Sequence, residues 1–386
     1  MAGALDGLRV LEIVGVGPGP FAAMMLADHG AEVLRIHPPR SRAPLASLDG
    51  PTDVLARGRS SISLNLKEDA GREALLTLAA GADGLIEGFR PGVAERLGIG
   101  PDACLGRNPA LVYGRMTGWG QDGPLAQTAG HDINYIALTG VLSAIGPAER
   151  PVPPLNLLGD FGGGGLMLAF GMLAGVLSAR TTGRGQVVDA AMTDGSALLS
   201  AMIHGLRAGG EWPAGREANL LDGGAFFYGT YACADGGFVA VGAIEPQFFA
   251  ALATGLGLDP AAFEPRDDRS LWPQFRQKIA DAFATRPRDH WAEVFAASDA
   301  CVTPVLDWDE AQAHPHNRAR GTFIESGGIA QPAPAPRFSA TPADVPAPPS
   351  PPARQDDLLA AWGLSETDQD RLRQSGVLGG ADRAHR

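Results

Sequence analysis

Between Leu8 and Met116, short apolar runs of strand length alternate with stretches of helical periodicity, and this alternation constrains the fold more than any other feature of the chain. Residues 8–14 read as a buried strand, 15–20 as a turn, and 21–29 as a helix with Gly30 just past its end. Strand patterns recur at 32–36, 61–66, 84–87 and 111–116, with a helix at 72–80. Alternation of this kind predicts an α/β fold with a mostly parallel, doubly wound sheet. Such sheets bind ligands in the crevice beyond the carboxyl ends of their strands, so the residues just after each strand come first.

After the first strand, Gly15-Val16-Gly17-Pro18-Gly19-Pro20 departs from the dinucleotide pattern GxGxxG. Pro20 stands where the third glycine is needed, so the run reads as a helix start rather than a nicotinamide site. Later strand ends carry cations: Lys67 after Asn65 and Leu66, Arg90 within Gly88-Phe89-Arg90-Pro91-Gly92, and then Arg96. Coming from two strands, these either converge on a phosphate-bearing ligand or are solvated surface charges.

Residues 130–165 hold the best candidates for chemistry. His131 follows Gly130 and opens a helical pattern at 132–142, while Asp160 precedes Phe161 and the glycines Gly162 to Gly165, which run into an apolar helix. A histidine titrates near neutral pH. A carboxylate before a helix can cap it beside the positive helix end, and glycine lets a substrate oxygen approach the backbone. The two residues form either an acid–base pair or ordinary turn and cap residues beside tightly packed glycines.

At 386 residues the chain is long enough for two domains. Its formal charge of -12 excludes the basic face of a nucleic-acid protein. Three cysteines, Cys104, Cys233 and Cys301, are widely spaced without a metal-ligand pattern, so a reduced, cytoplasmic setting is expected. No basic-then-apolar leader opens the chain and no unbroken apolar run reaches roughly 18 residues, so neither secretion nor membrane spanning is expected. A second domain starts near Leu221. It has a hairpin turning at Asp235-Gly236, with Glu245 after the second strand and before a helix at 247–256. Helices at 273–283, 290–297 and 309–313 and a strand at 301–306 follow. Residues 332–352 are a proline-rich extended passage whose opening, Pro336-Arg337-Phe338-Ser339, is placed to dock on the first domain. A last helix at 356–362 precedes a polar tail.

Seven motifs occur in order: Leu8-Arg9-Val10-Leu11-Glu12, Gly88-Phe89-Arg90-Pro91-Gly92, Met116-Thr117-Gly118-Trp119-Gly120, Gly130-His131-Asp132-Ile133-Asn134-Tyr135, Gly159-Asp160, Gly185-Gln186-Val187-Val188-Asp189 and Gly242-Ala243-Ile244-Glu245-Pro246. Together they closely resemble the family III CoA-transferases and, within them, the α-methylacyl-CoA racemases. The resemblance implies a large Rossmann-like domain, 1–186 completed by 330–386, a helical linker at 187–220, and a small α+β domain at 221–329. It further implies an interlocked homodimer and an acyl-CoA substrate, with no metal or redox cofactor. His131 and Asp160 then lie on opposite sides of the substrate α-carbon. Glu245 and Asn156 assist, Glu245 by orienting the His131 ring. CoA contacts fall on Leu64, Asn65, Leu66, Lys67, Gly88, Phe89, Arg90, Arg96, and the backbone of Gly130, Asp132, Ile133, Asn134 and Tyr135, with Tyr228 near the acyl group.

Three positions depart from the family pattern. Pro38 stands where an arginine is expected, with Arg40 as the nearest substitute. Phe226 replaces a proline and Gly229 an aspartate near the expected acyl pocket. Two other activities fit the same motifs. One is a CoA-transferase with Asp160 as nucleophile, although such enzymes carry a glycine-rich loop in place of Gly242–Pro246 and lack the histidine. The other is a non-catalytic acyl-CoA binding protein.

Overall fold

The computed structural model describes residues 3–39, 50–213 and 215–379. The chain divides into two compact units, one formed by 1–139, 155–199 and 320–386, the other by 140–154 and 200–319. Each is described by itself.

The first unit is built on a seven-stranded sheet. In chain order its opening elements are β1 (Arg9–Ile13), α1 (Pro18–Asp28), β2 (Glu32–His37), β3 (Ser60–Leu64), α2 (Asp69–Ala80), β4 (Gly84–Glu87), α3 (Val93–Arg96), α4 (Pro101–Arg107), β5 (Val112–Thr117) and α5 (Asp132–Leu138). A π-helical stretch Leu157–Leu166 leads into α6 (Met167–Thr182), β6 (Gln186–Ala191) and α7 (Met192–Leu199). The sheet order is β3-β2-β1-β4-β5-β6, all parallel, with the short strand Leu378–Gly379 antiparallel on the outer edge of β3. The chain reverses its direction of winding between β1 and β4, the place where folds of this kind bind their ligands.

Alternation along each strand builds two cores. Leu11, Ile13, Leu34 and Ile36 face one way and pack with Leu75, Leu78 and Trp362. Val10 and Val33 face the other way, with Ala22, Leu26, Leu168 and Met172 from α1 and α6. On that second face Glu12, fully buried, meets Arg59, and its carboxylate lies 3.3 Å from the Arg35 guanidinium. A buried carboxylate is tolerable only with such partners.

The structure adds detail to the sequence reading in four places. The segment 187–220, read as a helical linker, contributes most of the edge strand β6, because Val112 to Thr117 pair with Gln186 to Ala191 residue by residue. The polar tail is ordered: Ser365 caps the helix Glu366–Gln374, and Asn65 N–H donates to Val377 O at 2.9 Å just before the added strand. The helix expected over 132–142 stops at Leu138. Leu157–Thr182 forms 26 continuous helical residues with a mean hydropathy of 1.6 over its most apolar window, long and apolar enough to cross a membrane by length and composition alone. Asp160 and Arg180 break the apolar run in sequence without breaking the helix. It lies on the sheet, burying Leu168, Met172 and Val176. The proline-rich passage is extended and its opening docks on the end of α1, where the His29 and Phe338 rings are 5.1 Å apart.

The second unit has a three-stranded antiparallel sheet of Tyr228–Ala232, Phe238–Gly242 and Val302–Pro304. The hairpin turns at Asp235-Gly236, with Gly236 at φ 81°. Its core is aromatic: Phe226, with no exposure, contacts the rings of Phe227, Phe249, Phe263 and Phe275 at centroid distances of 4.9 to 5.7 Å. Phe226 therefore belongs to the core of this unit.

Trp362 is 1% exposed and closes the first core beside the outer strands. Trp362→Ala is expected to lower the unfolding free energy by about 3–5 kcal/mol through the cavity it leaves. Urea unfolding checks this, and a loss below about 1 kcal/mol would place Trp362 outside the cooperative core.

Candidate active site

Asp160 and His131 belong to separate segments of the first unit that are joined directly. The Asp160 N–H donates to Asp132 Oδ1 at 2.6 Å, and Asp132 is the first residue of α5, directly after His131. His131 is the N-cap residue of α5, and its backbone N–H is held by Asn134 Oδ1 at 3.0 Å. The histidine backbone is thus fixed while its side chain stays exposed. Asp132 is 7% exposed, and its carboxylate serves the Asp160 backbone.

Asp160 does not cap a helix. It lies inside the π-helical stretch Leu157–Leu166, whose N-cap is Asn156. Asn156 Nδ2 donates to Asp160 Oδ2 at 3.1 Å, and the preceding Leu155 has φ 59°, an uncommon value for a residue with a side chain. The wide π turn carries the carboxylate out over the first residues of α1, where a Cβ on Gly17 would lie 3.4 Å from Oδ2. The glycines after Asp160 serve packing rather than substrate approach. A Cβ on Gly163 would come 2.7 Å from the Ser196 N atom, and one on Gly165 2.7 Å from Pro18 O. The stretch is wedged between α1 and α7, and the Phe21 and Phe161 rings lie 4.8 Å apart, tilted by 32°.

Electrostatics distinguish this carboxylate from a surface one. Burial pushes the Asp160 carboxyl above the usual carboxylate range; the Asn156 amide opposes this, the Asp132 carboxylate adds to it and His131 lowers it again. Tyr135, on α5, donates its hydroxyl to Gly130 O, and burial, then the Asp160 charge, pushes its pKa up.

The β4 end forms the other wall of the switch point. Glu87 is followed by Gly88, Phe89 and Arg90, with Arg90 and Arg96 both exposed. Leu64 is 1% exposed in the core, so it offers a ligand only backbone. Asn65 Oδ1 accepts the Lys67 N–H at 3.2 Å in a turn that leaves Lys67 exposed. Ile133 is exposed on α5. Arg40 lies outside the described residues, and Pro38 follows the end of β2. Glu245 and Tyr228 belong to the second unit: Glu245 is the exposed N-cap of Pro246–Gly255, and Tyr228 pairs with Gly242. There Arg276 Nη1 would lie 3.3 Å from a Cβ on Gly229, occupying space that an aspartate would contest.

Sequence reasoning missed two features here. One is the placement of Gly17 beneath Asp160, which needed the π turn to be known. The other is Glu87, whose position two residues before a loop N–H was the available signal.

Because the folded Asp160 carboxyl holds its proton more tightly than the unfolded one, the wild type loses stability as pH rises through the raised value. Asp160→Asn is therefore expected to melt higher than wild type at pH 7, the gap closing as pH falls below about 3.9, the ordinary aspartate value. Melting curves from pH 3 to 8 test this; a gap that widens toward acid would contradict the burial argument.

Comparison with known proteins identifies the family. The model of CoA-transferase family III matches residues 5–357. The alpha-methylacyl-CoA racemase of Mus musculus is 45% identical over 383 residues, covering 97% of this chain and 98% of its own. The alpha-methylacyl-CoA racemase of Homo sapiens is 46% identical over 342 residues, 88% of each chain. The crystal structure of Rv3272 from Mycobacterium tuberculosis matches with a TM-score of 0.75 at 27% identity, covering 91% of this chain and 97% of that one. With the family model spanning nearly the whole chain, this protein belongs to CoA-transferase family III.

Proposed function

We propose that this chain is an α-methylacyl-CoA racemase, interconverting the R and S forms of 2-methylacyl-CoA thioesters. The observation that carries the reading is the joining of His131 and Asp160, on two segments, by the Asp160 N–H bond to Asp132 at the switch point. The α-proton of a thioester is weakly acidic, so its removal needs both a base and stabilised charge on the enolate oxygen. Inversion needs one group on each face of the planar enolate. His131 takes the proton from one enantiomer and Asp160 returns one on the opposite face; the roles exchange for the other enantiomer. Asp160, with its pKa raised by burial, is suited to giving a proton back. Asn156 orients the Asp160 carboxylate. Lys67, Arg90 and Arg96 hold the CoA phosphates, as uniform binding groups. This chemistry needs no metal or redox cofactor.

Loss of either group should stop racemisation in both directions while leaving one-sided exchange. In deuterium oxide, His131→Ala and Asp160→Ala are each expected to wash deuterium into the α-carbon of only one enantiomer, with opposite preferences. Normal racemisation by His131→Ala would assign the proton transfer to another base, and an acyl or CoA adduct trapped on Asp160 would replace this reading with the transferase mechanism.

The reading includes an interlocked homodimer. Leu166, at the end of the π-helical stretch, and Phe170, Leu173 and Leu177 on α6 recur at helical spacing and are exposed, Phe170 by 71% and Leu177 by 70%. An apolar stripe of this kind calls for a covering surface, which a second copy supplies. The measured mass at micromolar concentration is expected to be twice 40.0 kDa; a fully active monomer would refute the dimer. The free thiols Cys104, Cys233 and Cys301 suit a reducing cytoplasm, and the substrate class assigns the protein to branched fatty acyl-CoA metabolism.

A further inference from the structure

The loop from Gly88 to Arg96 carries two of the three cations assigned to CoA, yet it has few bonds of its own. Val93 N–H reaches Arg90 O at 3.1 Å, Arg96 N–H reaches Gly92 O at 3.1 Å, and Gln127 Nε2 donates to Pro91 O at 3.1 Å. Two glycines and a proline at 88, 91 and 92 leave the rest to be fixed from outside. A buried ionic cluster sits beneath it. Glu87, the last residue of β4 and 3% exposed, accepts the Phe89 N–H on Oε2 at 2.6 Å, which folds the start of the loop. Its Oε1 lies 3.6 Å from Arg115 Nε, on the residue directly opposite in β5. Arg115 then reaches the far end of the loop, where Nη2 pairs with Glu95, the neighbour of Arg96. Nη1 donates to Gln121 Oε1 at 2.7 Å, and the Gln121 N–H is held by Asp189 Oδ2 at 3.2 Å.

We infer that Glu87 and Arg115 are positioning residues for CoA binding: one guanidinium between two carboxylates fixes both ends of the loop that presents Arg90 and Arg96. The inference rests on the CoA reading of that loop. None of these three residues needs to touch the substrate, so their effect falls on binding shared by ground and transition states. The cluster is also sensitive to pH. Burial raises the Glu87 pKa to about 7, opposed by the Phe89 N–H and Arg115 and assisted by Glu95. The groups facing it are Arg115 and Tyr113 on β5 and Glu95 on α3, and Tyr113 stays protonated at neutral pH. As pH falls through 7, Glu87 takes up a proton, its attraction for Arg115 is lost, and the loop loosens.

Three variants test this by steady-state kinetics on a 2-methylacyl-CoA ester between pH 6 and 8, with circular dichroism confirming the fold. Wild-type KM is expected to rise as pH falls. Glu87→Gln is expected to raise KM roughly five-fold at pH 8 with kcat unchanged, and to abolish the pH dependence of KM. Glu95→Gln, at an exposed position that leaves the core intact, is expected to raise KM while keeping that pH dependence. Arg90→Ala separates the two layers of argument: unchanged KM there would remove the loop from CoA binding. Raised KM in Arg90→Ala with unchanged KM and pH profile in folded Glu87→Gln and Glu95→Gln would overturn the positioning role alone. If Glu87→Gln does not fold, Glu95→Gln decides, and unchanged KM in it overturns the clamp.

Discussion

The hydrogen bond from the Asp160 N–H to Asp132 Oδ1, 2.6 Å long, is the contact on which the geometry of the candidate site depends. It ties the start of α5 to the π-helical stretch, which is otherwise held by its packing between α1 and α7. The bond uses a nearly buried carboxylate as a strut. A carboxylate accepting a backbone N–H makes a strong bond where solvent is excluded, and its cost is a second negative charge beside Asp160, which contributes to the raised pKa. Structure and chemistry are therefore set by the same group: Asp132 both places Asp160 and makes it a weaker acid.

The large domain was legible in the sequence because its strands are covered on both faces. Runs such as Val10-Leu11 and Val33-Leu34 contribute to opposite cores, so they appear as continuous apolar stretches between helical patterns. His131 and Asp160 were visible because a histidine and an aspartate beside glycines are chemically conspicuous. The π turn was not visible, and neither were the close approaches of Gly163 to Ser196 and Gly165 to Pro18, partners set by tertiary packing. The core role of Phe226 was hidden for the same reason: one aromatic residue in sequence does not show that Phe249, Phe263 and Phe275 will surround it. The strand Leu378–Gly379 is two residues long, too short for any periodicity to register.

Glu12, Glu87 and Arg115 sit at or near the carboxyl ends of β1, β4 and β5 and are largely buried, each paired across the sheet. A hydrophobic pair would cost less to bury. What the charges supply instead is direction, because a guanidinium can hold several acceptors at once in fixed geometry. Arg57 does the same elsewhere, binding both Asp28 oxygens along with Gln331 and Pro332.

The outer edge of β3 is covered by a strand from the far end of the sequence, and Arg9 Nη1 donates to Ala361 O across 352 residues. On the ribosome this has a consequence. The strands β1 to β6 emerge long before Leu364, Leu372 and Val377, which fill the core beneath β3. The nascent first unit therefore waits with an unpaired strand edge and an open apolar groove while the intervening unit is synthesised. The latter's aromatic core lies wholly within residues 220–302 and can close first. The vulnerable interval in the life of this protein is translation itself, when an exposed edge strand is free to pair with another chain.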